Sequence, residues 1–224
     1  MSQPIITMEN QTSTYRGKTK YNEETARKYQ SAKLEQHGAE MRLVDRAFGL
    51  IPKSHRVLDV PCGGGRVTLY LARKGYWMSC ADYSEAMLQI TRELVAENKL
   101  GCTVEKQDVE RLTYADRAFD TVFNFRLFHH FPNAEVRQRV VSELCRVAGK
   151  YVVLSYLSAA SVTGVKRRVQ AALGGQKSSK HTTSLSEVKG YFEKAGFRLV
   201  KDFARAPIIH TLHVAVFERA EGAS

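Results

Sequence analysis

A short apolar run that ends in an acid and a glycine turn is the part of this sequence most suited to chemistry. Residues 57–66 read Val-Leu-Asp-Val-Pro-Cys-Gly-Gly-Gly-Arg, and a helix is predicted to follow over Val67 to Arg73. A strand, a glycine turn and a helix N-terminus form a cradle, because glycine has no Cβ to keep a ligand away from the backbone. Asp59 adds a negative charge to this cradle. The turn therefore suits a ligand with an amine and a cationic centre better than one that carries only phosphates.

Two further carboxylates follow the next two predicted strands. Asp82 comes after a strand over Trp77–Ala81, and Asp108 comes after a strand over Cys102–Lys106. In a doubly wound sheet the carboxyl ends of neighbouring strands meet beside the ligand crevice, so Asp59, Asp82 and Asp108 are expected to lie at one edge. A carboxylate at the second position can accept hydrogen bonds from both hydroxyls of a ribose. Asp82 also fits the start of a helix, and the two roles are compatible.

Strands and helices alternate along most of the chain, which predicts a parallel sheet covered by helices on both faces. The last two strands are joined by a short turn and must be antiparallel. The predicted strands are Arg56–Val60, Trp77–Ala81, Cys102–Lys106, Phe119–Phe123, Tyr151–Tyr156, Phe197–Phe203 and His210–Glu218. Helices are predicted from Asn22 to about Leu50, over Gly65–Lys74 and Ser84–Asn98, from Asn133 to about Val147, and from Ser184 to Ala195. The fold class is therefore α/β: a doubly wound, Rossmann-like sheet of seven strands with the last one reversed.

The chain is expected to consist of an N-terminal tail and helical cap over residues 1–50 and one α/β domain over residues 51–224. An insert after the fifth strand, at about 157–186, contains several basic residues and no acid. Its apolar residues are spaced for one face of a helix, so it is expected to lie on an anionic surface, to act as a lid, or to pack on its own domain.

Composition limits the class of protein. The 224 residues are 43% hydrophobic and 25% charged, as in soluble globular proteins, and no apolar run approaches the length of a membrane span. Four scattered cysteines without Cys-x-x-Cys spacing are expected to be reduced, in a cytoplasmic protein. A net charge of +11 favours anionic partners, namely nucleic acid, an anionic membrane face or an acidic substrate, or else serves solubility alone.

The residues around these carboxylates resemble the class I S-adenosylmethionine-dependent methyltransferases over about residues 21–219. The family's D-x-G-x-G-x-G motif is here Asp-Val-Pro-Cys-Gly-Gly-Gly at 59–65, with Pro61 in place of the first glycine. Residues 81–88, Ala-Asp-Tyr-Ser-Glu-Ala-Met-Leu, resemble the family's ribose segment, and Phe119-Asp120 at the start of strand four also matches.

The resemblance implies S-adenosylmethionine (AdoMet) as cofactor, with S-adenosylhomocysteine (AdoHcy) as its product. Because the sulfonium of AdoMet is already an activated leaving group, no metal is expected. The resemblance also implies that the methionine moiety binds near Asp59 and Gly63, the ribose on Asp82, and the adenine near Asp108. The implied cofactor-binding residues are Asp59, Gly63, Gly65, Asp82, Tyr83, Met87, Asp108, Val109 and Phe125. The expected activity is methyl transfer to a small or lipid-like, anionic acceptor.

A hydroxyl or thiol acceptor benefits from a base whose pKa lies near neutrality, which favours histidine. His130 and His129, after strand four, are the first candidates and His210 is the next; each also fits a structural role. Arg126 and Arg205 are candidate anchors for an anionic substrate. Tyr21, in the cap expected to fold over the cofactor, is a further candidate for substrate binding.

Four other functions remain open. A dinucleotide site requires G-x-G-x-x-G, but Thr68 occupies the third glycine position. A nucleic-acid methyltransferase would explain the charge, although Asn-Phe-Arg-Leu at 124–127 replaces the Asn-Pro-Pro-Tyr signature of base-amine methylation. A protein methyltransferase and a non-catalytic AdoMet-binding module are the remaining alternatives.

Overall fold

The computed structural model describes residues 34–160, 181–204 and 211–222. The strands are β1 (Arg56–Asp59), β2 (Trp77–Asp82), β3 (Thr103–Lys106), β4 (Phe119–Asn124), β5 (Ala148–Leu157), β6 (Phe197–Ala204) and β7 (Leu212–Arg219). The helices are α1 (Leu34–Phe48), α2 (Arg66–Arg73), α3 (Glu85–Glu97), α4 (Ala134–Val147) and α5 (Leu185–Lys194), with a short 3-10 helix at Phe128–His130.

The strands form one seven-stranded sheet in the order β3-β2-β1-β4-β5-β7-β6. Strands β1 to β5 pair in parallel, whereas β7 is antiparallel to both β5 and β6. The predicted doubly wound, Rossmann-like fold is thus confirmed, including the reversed last strand. The N-terminal cap before Leu34 and most of the insert, at 161–180, lie outside the described residues, and the domain limits stay a prediction.

The sheet is covered by one apolar layer on each face. Residues of α1 and α2 pack on one face, with Val153 and Leu157 of β5. Residues of α4 and α5 pack on the other face, where Leu154 and Tyr156 of β5 point. Because successive side chains of a strand point to opposite faces, the fully apolar middle of β5 is what a strand buried on both sides requires.

Side-chain caps fix three helix starts at the predicted residues. The side chains of Ser84, Asn133 and Ser184 accept hydrogen bonds from backbone N–H groups in the first turns of α3, α4 and α5. The predicted start of β5 at Tyr151 is wrong, because the strand begins at Ala148. Helix α4 passes directly into it: Ala148 is already extended while its N–H still donates to the carbonyl of Leu144.

Replacing Gly65 by alanine is expected to destabilise the fold. Gly65 caps α2 with a φ of +73°, and a Cβ there would stand 2.9 Å from Cγ2 of Thr91. The left-handed conformation alone costs a residue with a Cβ about 1–2 kcal/mol. Urea unfolding should therefore show a lower free energy of unfolding for Gly65→Ala. Gly190→Ala is the matched control: it lies inside α5 with open space around it, and should stabilise by about 0.5–1 kcal/mol. Equal stability of Gly65→Ala and wild type would contradict this account.

Candidate functional site

The ends of β1, β2 and β3 bring the three predicted carboxylates to one edge of the sheet. Asp59 and Asp82 are the last residues of β1 and β2. The N–H of Gly63 donates to Oδ2 of Asp82 at 2.9 Å, so the glycine turn touches the second carboxylate directly. The N–H of Gln107, the residue before Asp108, donates to the carbonyl of Asp82 at 3.0 Å. The three carboxylates therefore lie along one edge of the sheet, and their role in binding a cofactor stays a prediction.

The glycine turn is held on three sides. The N–H of Cys62 donates to the carbonyl of Ala81 at 2.8 Å, and the hydroxyl of Thr91 donates to the carbonyl of Gly63 at 2.8 Å. On the β4 side, the buried Asn124 donates through Nδ2 to the carbonyl of Val60 at 2.7 Å. Gly63 itself has a φ of +55°, and no atom lies within 4 Å of where its Cβ would be. Hydrogen bonds therefore hold the backbone of the turn in place, while the space beside the Cα of Gly63 remains open to a ligand.

Two buried carboxylates lie side by side under this turn. Burial, together with the nearby charge of Asp82, raises the pKa of Asp59 to about 7, against the opposing effect of the Thr68 hydroxyl, which donates to Asp59 Oδ2 at 2.7 Å. Burial also raises the pKa of Asp82, against the opposing effect of backbone N–H groups of Ser84 and Gly63. The charge of Asp82 thus makes Asp59 harder to ionise. A ligand that brings positive charge relieves both.

Thr68 is a functional candidate that the sequence reasoning missed, because it was considered only as the wrong residue for a third glycine. It is fully buried in the first turn of α2, where its hydroxyl faces the end of β1. The available signal was its position: three residues after Gly65, on the side of α2 that packs against the sheet.

The remaining predicted cofactor residues differ in exposure. Met87, Val109 and Phe125 are buried, and the Phe125 ring stacks on Phe123 with centroids 5.4 Å apart. Tyr83, directly after Asp82, is 46% exposed. Its ring can therefore contact a ligand that lies along the edge of the sheet. Met87, Val109 and Phe125 can only line the inner surface of such a site, because they are buried. Their cofactor roles stay predictions.

The two candidate histidines after β4 lie in the 3-10 helix. His129 is buried and His130 is partly buried, and their ring centroids are 4.3 Å apart. The carbonyl of His129 accepts the N–H of His181 at 2.9 Å, which ties this helix to the segment that leads into α5. The geometry shows a structural use for this helix, and a role in acid–base chemistry stays a prediction. Tyr21, Arg205 and His210 lie outside the described residues.

Arg126 belongs to an ion-pair cluster that the sequence did not reveal. Glu40 of α1 is only 3% exposed; it accepts from Nη2 of Arg66 at 2.6 Å and also pairs with Nη1 of Arg126. Arg126 has a φ of +61°, and its N–H donates to Oγ of Ser155 at 2.6 Å. The cluster joins α1, the start of α2 and the loop after β4. The Glu40 carboxylate thus already pairs with both guanidinium groups.

Within the described residues, no helix is long and apolar enough to cross a membrane. The same part of the chain contains no group of three or more His, Cys, Asp or Glu side chains placed to hold a metal ion.

Comparison of the amino-acid sequence with known proteins shows similarity to methyltransferases. Residues 57–150, which span β1 to the start of β5, match the model of a methyltransferase domain family. Methyltransferase GfsG of Streptomyces halstedii is 25% identical over 154 residues, covering 67% of this chain and 55% of that protein. A ubiquinone biosynthesis O-methyltransferase of Coxiella burnetii is 30% identical over 98 residues, covering 44% of this chain and 42% of that protein. The chain thus spans about half the length of these curated relatives.

The fold is also found among solved structures. Magnesium protoporphyrin IX methyltransferase from Synechocystis, solved with bound SAH, superposes with a TM-score of 0.68 at 18% identity, covering 83% of each chain. At this level of identity the likeness concerns the fold alone.

The raised pKa of Asp59 predicts a pH dependence of stability. Between its unfolded value of 3.8 and its folded value of about 7, the folded state holds a proton that the unfolded state has lost. The free energy of unfolding should therefore fall as pH rises through this window, by at most about 1.4 kcal/mol per pH unit for one proton. Asp59→Asn should flatten that decline in urea unfolding measured from pH 4 to 8.

Asp45→Asn is the control for that measurement. Although burial alone would raise it, hydrogen bonds from Lys74 and Tyr70 lower the pKa of Asp45, so its contribution changes only below about pH 5. Its curve should run parallel to that of wild type between pH 5 and 8. A flattened curve for Asp45→Asn, or an unflattened one for Asp59→Asn, would contradict the assignment.

Proposed function

Because the chain belongs to the class I S-adenosylmethionine-dependent methyltransferases, we propose that it is an enzyme that transfers a methyl group from AdoMet to an oxygen atom of a small-molecule acceptor. Two findings support this proposal: the match of residues 57–150 to a methyltransferase domain, and the likeness to an O-methyltransferase. The observation that carries it is the pair of buried carboxylates, Asp59 and Asp82, packed against the glycine turn.

The residues fit the proposed cofactor chemically. Bound AdoMet would supply a methyl group on a positively charged sulfur, together with an α-ammonium group. Asp59 would face the amino-acid end, because it is buried beside Arg66 and the glycine turn and gains from a cation. Asp82 would accept hydrogen bonds from the ribose hydroxyls through the lone pairs that Gly63 and Ser84 leave free. Tyr83, Met87, Asp108 and Val109 would surround the adenine.

The acceptor is proposed to bind over the carboxyl ends of β4 and β5, where ligands of open α/β sheets lie. Phe125 and the 3-10 helix after it would exclude water from that end of the site, since Phe125 and Phe128 are buried. With donor and acceptor held in line at about 3–3.5 Å, positioning alone supplies much of the rate of such a displacement.

An anionic or lipid-like acceptor remains part of the proposal, with the net charge of +11 as its support. Arg126 could anchor an acidic group only by exchanging Glu40 for it, because the two side chains are paired. Arg205, Tyr21 and the basic residues of the insert lie outside the described residues, so lid and docking roles for the insert rest on the sequence.

Cofactor binding is testable by calorimetry with AdoHcy. Asp82→Asn removes a charged acceptor for the ribose hydroxyls, and hydrogen bonds to a charged group contribute about 1.5–3 kcal/mol each. The dissociation constant should therefore rise at least tenfold. Asp116→Asn, a change on an exposed aspartate that pairs with Arg146, should leave binding unchanged. Preserved affinity in Asp82→Asn, or binding of NAD in place of AdoHcy by wild type, would argue against the proposed cofactor site.

Catalysis is testable separately. The full chain, incubated with AdoMet carrying a labelled methyl group and fractionated cell extract, should label a low-molecular-mass fraction, with the label bound through an ether or ester oxygen. Label in RNA or in protein would instead support one of the alternative acceptors. Tight AdoHcy binding without labelled product in any fraction would identify a non-catalytic AdoMet-binding module.

A further inference from the structure

Three polar side chains from the last three strands form a hydrogen-bonded cluster that belongs to none of the motifs above. Nδ1 of His213, on β7, lies 2.7 Å from Oδ2 of Asp202, on β6. The hydroxyl of Tyr156, on β5, donates to the same carboxylate oxygen at 3.1 Å. We call these three residues the acid–imidazole cluster. Carboxylates and imidazoles are costly to bury unless paired, so their presence between strands of an apolar sheet calls for an explanation.

The strand register places this cluster at the functional edge of the sheet. Leu154 of β5 pairs with Asn124, the last residue of β4, and Tyr156, two residues further along β5, pairs with His213. The cluster therefore lies just beyond the end of β4, at the same carboxyl edge as the glycine turn. Tyr156 also belongs to the apolar layer that contains Phe128 of the 3-10 helix. This is the end of the sheet over which the acceptor is proposed to bind.

The hydrogen bonds orient the imidazole for proton transfer. Burial raises the pKa of Tyr156, so the phenol stays neutral and donates to Asp202. Oδ1 of Asp202 is buried and receives no hydrogen bond from the described residues. The contacts of this carboxylate with Tyr156 and His213 are therefore both made through Oδ2. A carboxylate at Nδ1 selects the tautomer in which Nδ1 carries the proton and Nε2 carries the lone pair.

The second ring nitrogen of His213 is the available one. Among the hydrogen bonds formed by the described residues, those of His213 involve Nδ1 alone, and its side chain is 12% exposed. A neutral imidazole, held by a carboxylate on one nitrogen and open on the other, is the arrangement of a general base.

We propose that His213 is the base that deprotonates a hydroxyl acceptor, with Asp202 and Tyr156 as its positioning residues. The inference rests on the proposed methyltransferase function. The O–H bond breaks and its proton goes to Nε2 of His213, while an oxygen lone pair forms the bond to the methyl carbon. The C–S bond breaks and its electron pair remains on sulfur, which leaves neutral AdoHcy. Asp202 stabilises the imidazolium until its proton passes to water.

The cluster also defines the acceptor class. A hydroxyl oxygen becomes a strong nucleophile only as its proton leaves, so it gains from a base at this position. A neutral amine already presents a lone pair and loses its proton after the transfer. The acid–imidazole cluster therefore favours phenols and alcohols over amines.

The test uses the full chain, labelled AdoMet, a panel of simple phenols, primary alcohols and amines, and the extract fraction that takes up label. His213→Ala should lower kcat about 10²–10⁴-fold, while AdoHcy affinity measured by calorimetry changes less than twofold. Added imidazole should restore at least tenfold of the lost rate, an effect that a purely structural role would not produce. Asp202→Asn should lower kcat, because His213 then loses the carboxylate that positions it. Tyr156→Phe should lower kcat by a smaller factor.

His55→Ala is the matched control. His55 lies before β1, at the opposite edge of the sheet, and its Nδ1 contacts Oγ1 of Thr121 at 2.9 Å. This variant should keep wild-type kcat and should not respond to imidazole. If His213→Ala fails to bind AdoHcy, His213→Gln takes its place.

Three outcomes would overturn the inference. An unchanged kcat in His213→Ala or His213→Gln, or a lowered kcat without imidazole rescue of the alanine variant, would remove His213 as the base while leaving the methyltransferase function intact. Labelling of amines alone would overturn the acceptor class. Absence of any labelled product from wild type that binds AdoHcy would overturn the proposed function, and this inference with it.

Discussion

The hydrogen bond from the Gly63 N–H to Asp82 is the contact on which the rest of the site depends. It joins the turn after β1 to the end of β2, and Gly63 adopts a positive φ in that turn. Asp82 also lies close enough to Asp59 for its charge to raise the pKa of that carboxyl, so two buried carboxylates are near each other. This pairing of like charges is unfavourable in the folded chain, and the positive charge of bound AdoMet would relieve it.

The local charge of the site is opposite to that of the whole molecule. The chain carries a net charge of +11, whereas the crevice at the glycine turn is acidic. Short-range contacts between buried groups decide what binds in the crevice, while the long-range field of the surface acts on what approaches it. A positively charged protein with an acidic crevice is thus consistent with the proposed cationic methyl donor and the proposed anionic acceptor.

The sheet divides the proposed chemistry between its two halves. Strands β1 to β3 carry the carboxylates for the cofactor, and β5 to β7 carry the acid–imidazole cluster. Strand β4 lies between them: Asn124 supports the glycine turn, and Arg126 joins the buried carboxylate of Glu40. Because β4 lies between the two halves, its end also lies between the proposed donor and acceptor sites.

Sequence alone determined the features that depend on neighbours along the chain. Strand and helix order, the caps at Ser84, Asn133 and Ser184, and the edge shared by Asp59 and Asp82 follow from local patterns and the regular geometry of parallel sheets. Tertiary structure decided the pairing of Glu40 with Arg126 and the meeting of Tyr156, Asp202 and His213. These partners lie far apart in the chain and on elements of ordinary composition. The contacts among Tyr156, Asp202 and His213 arise from strand order and register, and that of Glu40 with Arg126 arises from the packing of α1 on the sheet. Residue spacing encodes neither, and a side chain's chemical role is set by the groups that such long-range contacts place beside it.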